Sequence, residues 1–186
     1  ILPASQTRDK DALTDDGVAE VMDELSKQFD YIICDSPAGI ERGAQLAMYH
    51  ADEAIIVTNP EISSVRDSDR IIGILQSQTK KVIENQGTVR EHLIITRYNA
   101  DRAAANEMMD IDTISNDILK VPLLGVVPES HSVLEASNHG EPVIHYTDSV
   151  AGQCYDDIVA RFLGEERPLR HIDVKKKSLL QRWFGG

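Results

Sequence analysis

Four short apolar runs recur along the chain, each followed by a polar or turn-forming group: Tyr31–Cys34, Ala54–Thr58, Leu93–Thr96 and Leu123–Val127. Each run is apolar at consecutive positions rather than at alternate ones. This is the pattern of a strand covered on both faces, as in a parallel sheet. Between them lie stretches with helical spacing. Val18, Val21, Met22 and Leu25 predict a helix from Thr14 to Gln28, with Asp15, Asp16 and Glu20 suiting its positive N-terminal end. A short helix is expected from Glu41 to Tyr49. Ser64 is expected to cap the next helix, with Asp67 in a capping-box position, and that helix to run to about Ile83. Ala103–Leu119 reads as helical in parts, Ser130–Asn138 as a short helix and Ser149–Leu163 as a long one. Ile1-Leu2-Pro3 reads as the end of a strand already under way, so the chain is expected to be a piece of a longer one. Strands alternating with helices predict an α/β fold, a mostly parallel β-sheet with helices on both faces.

In such a sheet the carboxyl ends of the strands form one rim, the usual place for a ligand. Here those ends read Asp35-Ser36-Pro37, Thr58-Asn59-Pro60, Arg97-Tyr98-Asn99 and Pro128-Glu129. Asp35 stands where a carboxylate can reach a magnesium ion on a bound nucleotide. The plainer reading makes it only the start of a turn. Six scattered histidines form no metal-ligand spacing. Glu129, His131 and Ser132 lack the Gly-x-Ser-x-Gly elbow that a hydrolase triad requires.

Net charge changes the list of partners. At −12 the chain lacks the basic face that a general nucleic-acid binder needs. Residues 174–186 carry Lys175, Lys176, Lys177 and Arg182 with no acid, so the acidic excess lies wholly in the rest. Wrapped on a helix, Ile172, Leu179, Leu180, Trp183 and Phe184 share one arc. Lys175 and Arg182 fall mostly outside it and Lys176 inside it. A basic amphipathic helix of this kind reads as a membrane-surface element, joined to the domain by a charged linker at 164–173. The plainer alternative is a helix docked on the domain's own core. Burying four large side chains yields roughly 6–10 kcal/mol gross. Ordering a dozen residues costs roughly 1–2 kcal/mol each. One tail therefore binds weakly, and two linked tails bind better by avidity. Cys34 is expected in the core, and two cysteines make no disulfide scaffold. No run reaches the roughly 18 apolar residues of a membrane span.

Several stretches resemble the ParA/MinD group of deviant P-loop ATPases. They are Tyr31–Glu41, Ala51–Ile55, Thr58–Glu61 with Ser63–Arg70, Thr96–Asn99, Gly125–Glu129, Ala136–Asn138, Gly140–Val143 and the tail. The resemblance implies a P-loop NTPase-like domain over 1–163 and a membrane-targeting helix at 174–186. It also implies an ATP-dependent homodimer that positions the division septum from the cytoplasmic face of the inner membrane. By the same resemblance Asp35 holds magnesium through water, and Ser36, Pro37 and Gly39 belong to a switch running to Glu41. Asn99, Pro128 and Glu129 line the adenine pocket. Asp67 and Asp69 lie on the helix that binds MinC or MinE. Lys175, Lys176, Lys177, Leu179, Leu180, Arg182, Trp183 and Phe184 meet anionic lipid. ATP and Mg2+ are the cofactors implied for the full-length protein.

The group's Gly-Gly-x-Gly-Lys-Thr phosphate loop occurs nowhere in these 186 residues. The strand that carries it is therefore expected to be missing, and this chain alone is expected neither to bind nor to hydrolyse ATP. The alternative is a non-catalytic module that binds partners and membrane. A DNA-partitioning relative is disfavoured by the charge and the apolar tail. An iron–sulfur reductase is excluded because Cys34 lies inside the strand rather than on the switch loop.

Overall fold

The computed structural model describes residues 13–37, 39–170 and 172. The expected strand end at Ile1–Pro3, Ala38 of the switch, and the basic apolar tail of 174–186 lie outside the described residues. The chain divides into two compact units, one formed by Ile1–Ala54 and Arg70–Arg90, the other by Ile55–Asp69 and Glu91–Gly186.

In order, the elements are α1 (Asp15–Ser26), α2 (Arg42–Tyr49), β1 (Glu53–Thr58), α3 (Ile62–Leu75), α4 (Lys80–Ile83), β2 (Arg90–Tyr98) and α5 (Ala100–Ala104). A π-helical turn (Thr113–Ile118), β3 (Leu123–Pro128), α6 (His131–His139), a 3-10 turn (Val143–His145) and α7 (Val150–Phe162) complete them. Local chemistry explains many of the starts. Thr14 Oγ1 accepts from Gly17 N at 3.1 Å and Ser149 Oγ accepts from Gly152 N at 2.8 Å, as N-caps do. Gly140, at φ 69°, closes α6 in the left-handed conformation that glycine adopts freely.

The sheet has the order β1-β2-β3. β2 and β3 are parallel, with Leu93 opposite Leu123 and Ile95 opposite Val126. β1 and β2 also run the same way. At their starts Arg90 N donates to Asp52 O at 3.2 Å, and at their ends Thr96 Oγ1 donates to Asn59 Oδ1 at 2.9 Å. Leu93, Ile94 and Ile95 are all buried, so β2 is covered on both faces as its unbroken apolar run requires. α7 covers one face: Ile94, Leu124 and Val127 pack with Ala151, Cys154 and Ile158. Each of the Ile, Leu and Val side chains contributes roughly 1.5–3 kcal/mol gross. Gly125 permits the close approach, since a Cβ there would collide with the Ile158 side chain.

Three expectations are corrected. Tyr31–Cys34 forms no strand, and Tyr31, Ile33 and Cys34 are exposed, Ile33 at 93%. A run apolar on both sides becomes a buried strand only between hydrogen-bonded neighbours with helices over both faces. Among the described residues it has none, because the one sheet ends at β1. Cys34 is accordingly not a core residue, whereas Cys154 is. Second, the helix expected from Ser64 to Ile83 begins at Ile62 and breaks between Leu75 and Lys80. Ser64 is thus inside the first turn, where its carbonyl accepts from Ser68 Oγ at 2.9 Å. At the break, Ser77 Oγ donates to Gly73 O at 2.6 Å and buried Thr79 Oγ1 donates to Leu75 O at 3.1 Å. These side chains compete with the helical ladder. Third, β1 is not wholly buried, since Ile55 and Val57, which share one face of the strand, are exposed.

Within the charged linker expected at 164–173, Arg167 and Arg170 reach back to α7. Asp157, 1% exposed, receives a hydrogen bond from Arg170 Nη2 on Oδ1 at 3.1 Å. Its Oδ2 lies 2.7 Å from Arg170 Nε but off the N–H axis, so that contact is an ion pair. Arg161 Nη1 donates to Leu124 O at 2.7 Å beside it.

Candidate functional site

The carboxyl ends of the three strands gather polar groups in the second unit. Thr96 Oγ1 bridges from β2 to the end of β1, donating to Asn59 Oδ1. Glu129 N donates to Tyr98 O at 3.0 Å, joining the ends of β2 and β3. Met109 N donates to Pro60 O at 3.3 Å and ties the segment after α5 to the end of β1. Asn99 caps α5, its Oδ1 accepting from Arg102 N at 3.1 Å. That bond fixes the amide and leaves its Nδ2 donors and one Oδ1 lone pair for a ligand. Asn99, Pro128 and Glu129, expected together, therefore do lie at adjoining strand ends.

The surroundings of the rim are acidic. Tyr98 is buried, and its phenol is pushed up first by burial and then by the charges of Asp110 and Asp112. Asp110 receives Thr113 N on Oδ1 at 2.9 Å and Thr113 Oγ1 on Oδ2 at 2.7 Å. The backbone bond first, and the hydroxyl second, hold its carboxyl below the ordinary range. Thr113 opens the π-helical turn, in which Leu119 N reaches back to Ile114 O at 3.0 Å.

Sequence reasoning passed over one feature of this rim. Ile95 stands opposite Val126 and Tyr98 opposite Pro128, so Thr96 and Arg97 together face Val127. This is a β-bulge, uncommon in parallel pairing. Within it Arg97 has φ 57°, in the left-handed region. A non-glycine residue there costs about 1–2 kcal/mol. No spacing signal marks it, since Thr-Arg-Tyr reads as an ordinary strand end.

The remaining expected site residues lie on other segments of the chain. Asp35, Ser36, Pro37 and Gly39 belong to the first unit and are exposed. Gly39 has φ 99°, which a side-chain-bearing residue rarely adopts, and Gln45 Nε2 donates to Ile40 O at 3.0 Å behind it. Asp35 offers one carboxylate. Among the described residues no cluster of three or more His, Cys, Asp or Glu is placed to hold a metal. Mg2+ is usually held by one or two carboxylates, with water and phosphate oxygens completing its shell. Asp35 thus offers one of the contacts such an ion takes and is not a site by itself.

Asp67 and Asp69 lie on α3 and are exposed with Arg66 and Arg70, while Val65, Ser68, Ile72 and Leu75 are buried. The acids therefore occupy the outward face. Lys175, Lys176, Lys177, Leu179, Leu180, Arg182, Trp183 and Phe184 lie outside the described residues. No helix among the described residues is long and apolar enough to cross a membrane.

Residues 6–143 match the family model of the CobQ/CobB/MinD/ParA nucleotide binding domain. The whole chain is 61% identical to the septum site-determining protein MinD of Neisseria meningitidis serogroup B and 56% identical to that of Escherichia coli K12. It spans 69% of the length of each. Among solved structures, the MinD cell division protein of Aquifex aeolicus is 34% identical with a TM-score of 0.75, over 86% of this chain and 65% of that one. The chain solved as the Aquifex aeolicus MinC:MinD complex is 36% identical with a TM-score of 0.70, over 84% and 60%. MinD of Pyrococcus horikoshii, solved with Mg-ADP, is 29% identical with a TM-score of 0.64, over 81% and 58%. The chain therefore spans less than two thirds of these solved proteins. With a parallel sheet flanked by helices, a family match over most of its length and relatives of this identity, the chain belongs to the MinD group of the CobQ/CobB/MinD/ParA nucleotide-binding family.

Proposed function

We propose that the protein carrying this chain is an ATPase that places the division septum by switching between solution and the inner membrane. The observation that carries the reading is the rim. Two adjoining parallel strand ends, those of β2 and β3, present Asn99, Pro128 and Glu129 together, in a chain 61% identical over its whole length to a septum site-determining protein. Asn99 would read the adenine edge with its amide, already oriented by the Arg102 bond. Asp35 would hold Mg2+ through water, and the turn at Gly39 would follow the state of the terminal phosphate. Bound Mg2+ would neutralise phosphate charge during transfer. Residues 1–186 contain no Gly-Gly-x-Gly-Lys-Thr run, so hydrolysis is assigned to the whole protein and not to this chain.

The partners follow the same reading. A complex with MinC has been solved for the Aquifex aeolicus relative; here the outward acids Asp67 and Asp69 on α3 would take MinC, or MinE, which would stimulate hydrolysis and release. An ATP-dependent homodimer would present two tails, each with Leu179, Leu180, Trp183 and Phe184 beside Lys175, Lys176, Lys177 and Arg182. Linking two weak anchors raises apparent affinity about 10²–10⁴-fold. Protein would thus be peripheral on the cytoplasmic face when dimeric and free when not.

Co-sedimentation of the whole protein with phosphatidylglycerol-containing vesicles tests this. ATP should increase binding, ADP should not, and ending the chain at Asp173 should abolish it. Equal binding with both nucleotides, or retention after truncation, would overturn the membrane-switch reading.

A further inference from the structure

Four non-glycine residues have positive φ: Asn85, Arg97, Asn106 and Lys120. Three of them follow helix ends. Asn85 comes after α4, Asn106 after α5 and Lys120 after the π-helical turn, places where a left-handed residue normally closes a helix. Arg97 alone lies within a strand. It is the extra residue of the β2 bulge, a position where glycine is the unstrained choice.

The bulge has a structural use. It turns Tyr98 into register with Pro128, where the ring is buried, and brings Asn99 to the start of α5. A regular strand would send Tyr98 to the opposite face. That use needs the bulge and not an arginine, and glycine would serve it better. The arginine is exposed, and among the described residues its side chain takes part in no ion pair or hydrogen bond. An arginine strained in its backbone and without a side-chain partner, two residues from Asn99 at the rim, leaves its guanidinium open to a ligand.

We propose that Arg97 is a nucleotide-contacting residue whose guanidinium lies flat against the face of the purine that Asn99 reads by its edge. This rests on the adenine site proposed above and adds a contact to it. A guanidinium suits the role because it is planar and stacks on aromatic faces, whereas an ammonium is a compact, strongly hydrated charge. The bulge sets the height of Arg97 relative to Asn99, so one local distortion provides both a face contact and an edge contact for the same base.

The test uses the whole protein that carries this chain, with a fluorescent ATP analogue titrated into wild type, Arg97→Gly and Arg97→Lys. Arg97→Gly should raise the melting temperature by about 2–4 °C, because the strain is relieved. It should weaken nucleotide binding roughly 3- to 30-fold. Arg97→Lys should leave the melting temperature unchanged and weaken binding by an intermediate factor. Inorganic tripolyphosphate, which has no base, should compete equally well in all three. A glycine variant that binds as wild type does would overturn the proposal and leave the bulge a purely structural device, as would one that melts no higher. Equal nucleotide affinity in the lysine variant, or a tripolyphosphate affinity that falls in parallel, would also overturn it, by assigning Arg97 to the phosphates. Wild type that shows no saturable binding would instead overturn the nucleotide-site reading itself.

Discussion

Removing the Arg170 side chain isolates a buried ion pair of the second unit. Asp157 is 1% exposed, and its two oxygens face Arg170 Nη2 at 3.1 Å and Nε at 2.7 Å. Stripping a partner from a buried pair costs about 3–5 kcal/mol, because the remaining charge stays desolvated and uncompensated. Two features of the structure place Arg170→Ala below that range. The Arg170 side chain is 41% exposed, so water can enter where it stood, and Arg167 Nη1 lies 4.0 Å from Asp157 Oδ1 and can move in. About 2 kcal/mol remains. With a urea slope of about 2 kcal/mol per molar, the unfolding midpoint should fall by about 1 M with the slope unchanged. Asp157→Asn in the Arg170→Ala background should recover part of the loss, since the orphaned charge is removed. The double-mutant cycle then isolates the pair term. A midpoint shift below about 0.2 M, or a double variant no more stable than Arg170→Ala, would refute the reasoning. Residues 165–170 would then be held by something other than this pair.

Further predictions rest on separate observations. Gly125→Ala sets a methyl against Ile158 and should destabilise by about 1–3 kcal/mol, read from the same urea transition, with Ile158→Val restoring part of it. Cys34 is exposed and Cys154 buried, with the Cys154 thiol pushed up first by burial and then by Asp157. A thiol reagent should therefore modify one cysteine rapidly and the second only on unfolding. Asp110 has a depressed folded pKa, so its contribution is present above the unfolded value and is lost as pH falls through the folded one. Thr113→Ala should thus be less stable than wild type at neutral pH, converge with it in acid, and raise the Asp110 titration seen by carboxylate NMR.

The sequence carried the sheet's interior well and its exceptions poorly, for physical reasons. Leu93–Thr96 and Leu123–Val127 are unbroken apolar runs, and both form largely buried strands, because strand burial on two faces is written into consecutive positions. Tyr31–Cys34 has the same pattern and is no strand, because pairing belongs to the neighbours and not to the segment. The break after Leu75 turns on the Ser77 and Thr79 hydroxyls, which helical periodicity does not weigh. At the rim, Asn99, Pro128 and Glu129 were legible as strand endings. The bulge at Arg97 was not, since one extra residue leaves no compositional mark. The Asp157–Arg170 pair had a signal that went unread. Asp157 sits on the stripe of Ala151, Cys154 and Ile158, and a charge on an apolar face needs a partner.

Photolabelling of the whole protein with 8-azido-ATP, followed by peptide mapping, locates the bound base. The base should lie at the ends of β2 and β3. Label should therefore concentrate in peptides holding residues 97–102 and 128–131, and excess unlabelled ATP should suppress it. Label confined to other segments under the same competition, such as the cavity lined by His92, Pro122, Arg161 and Arg167, would place the base elsewhere and contradict the account.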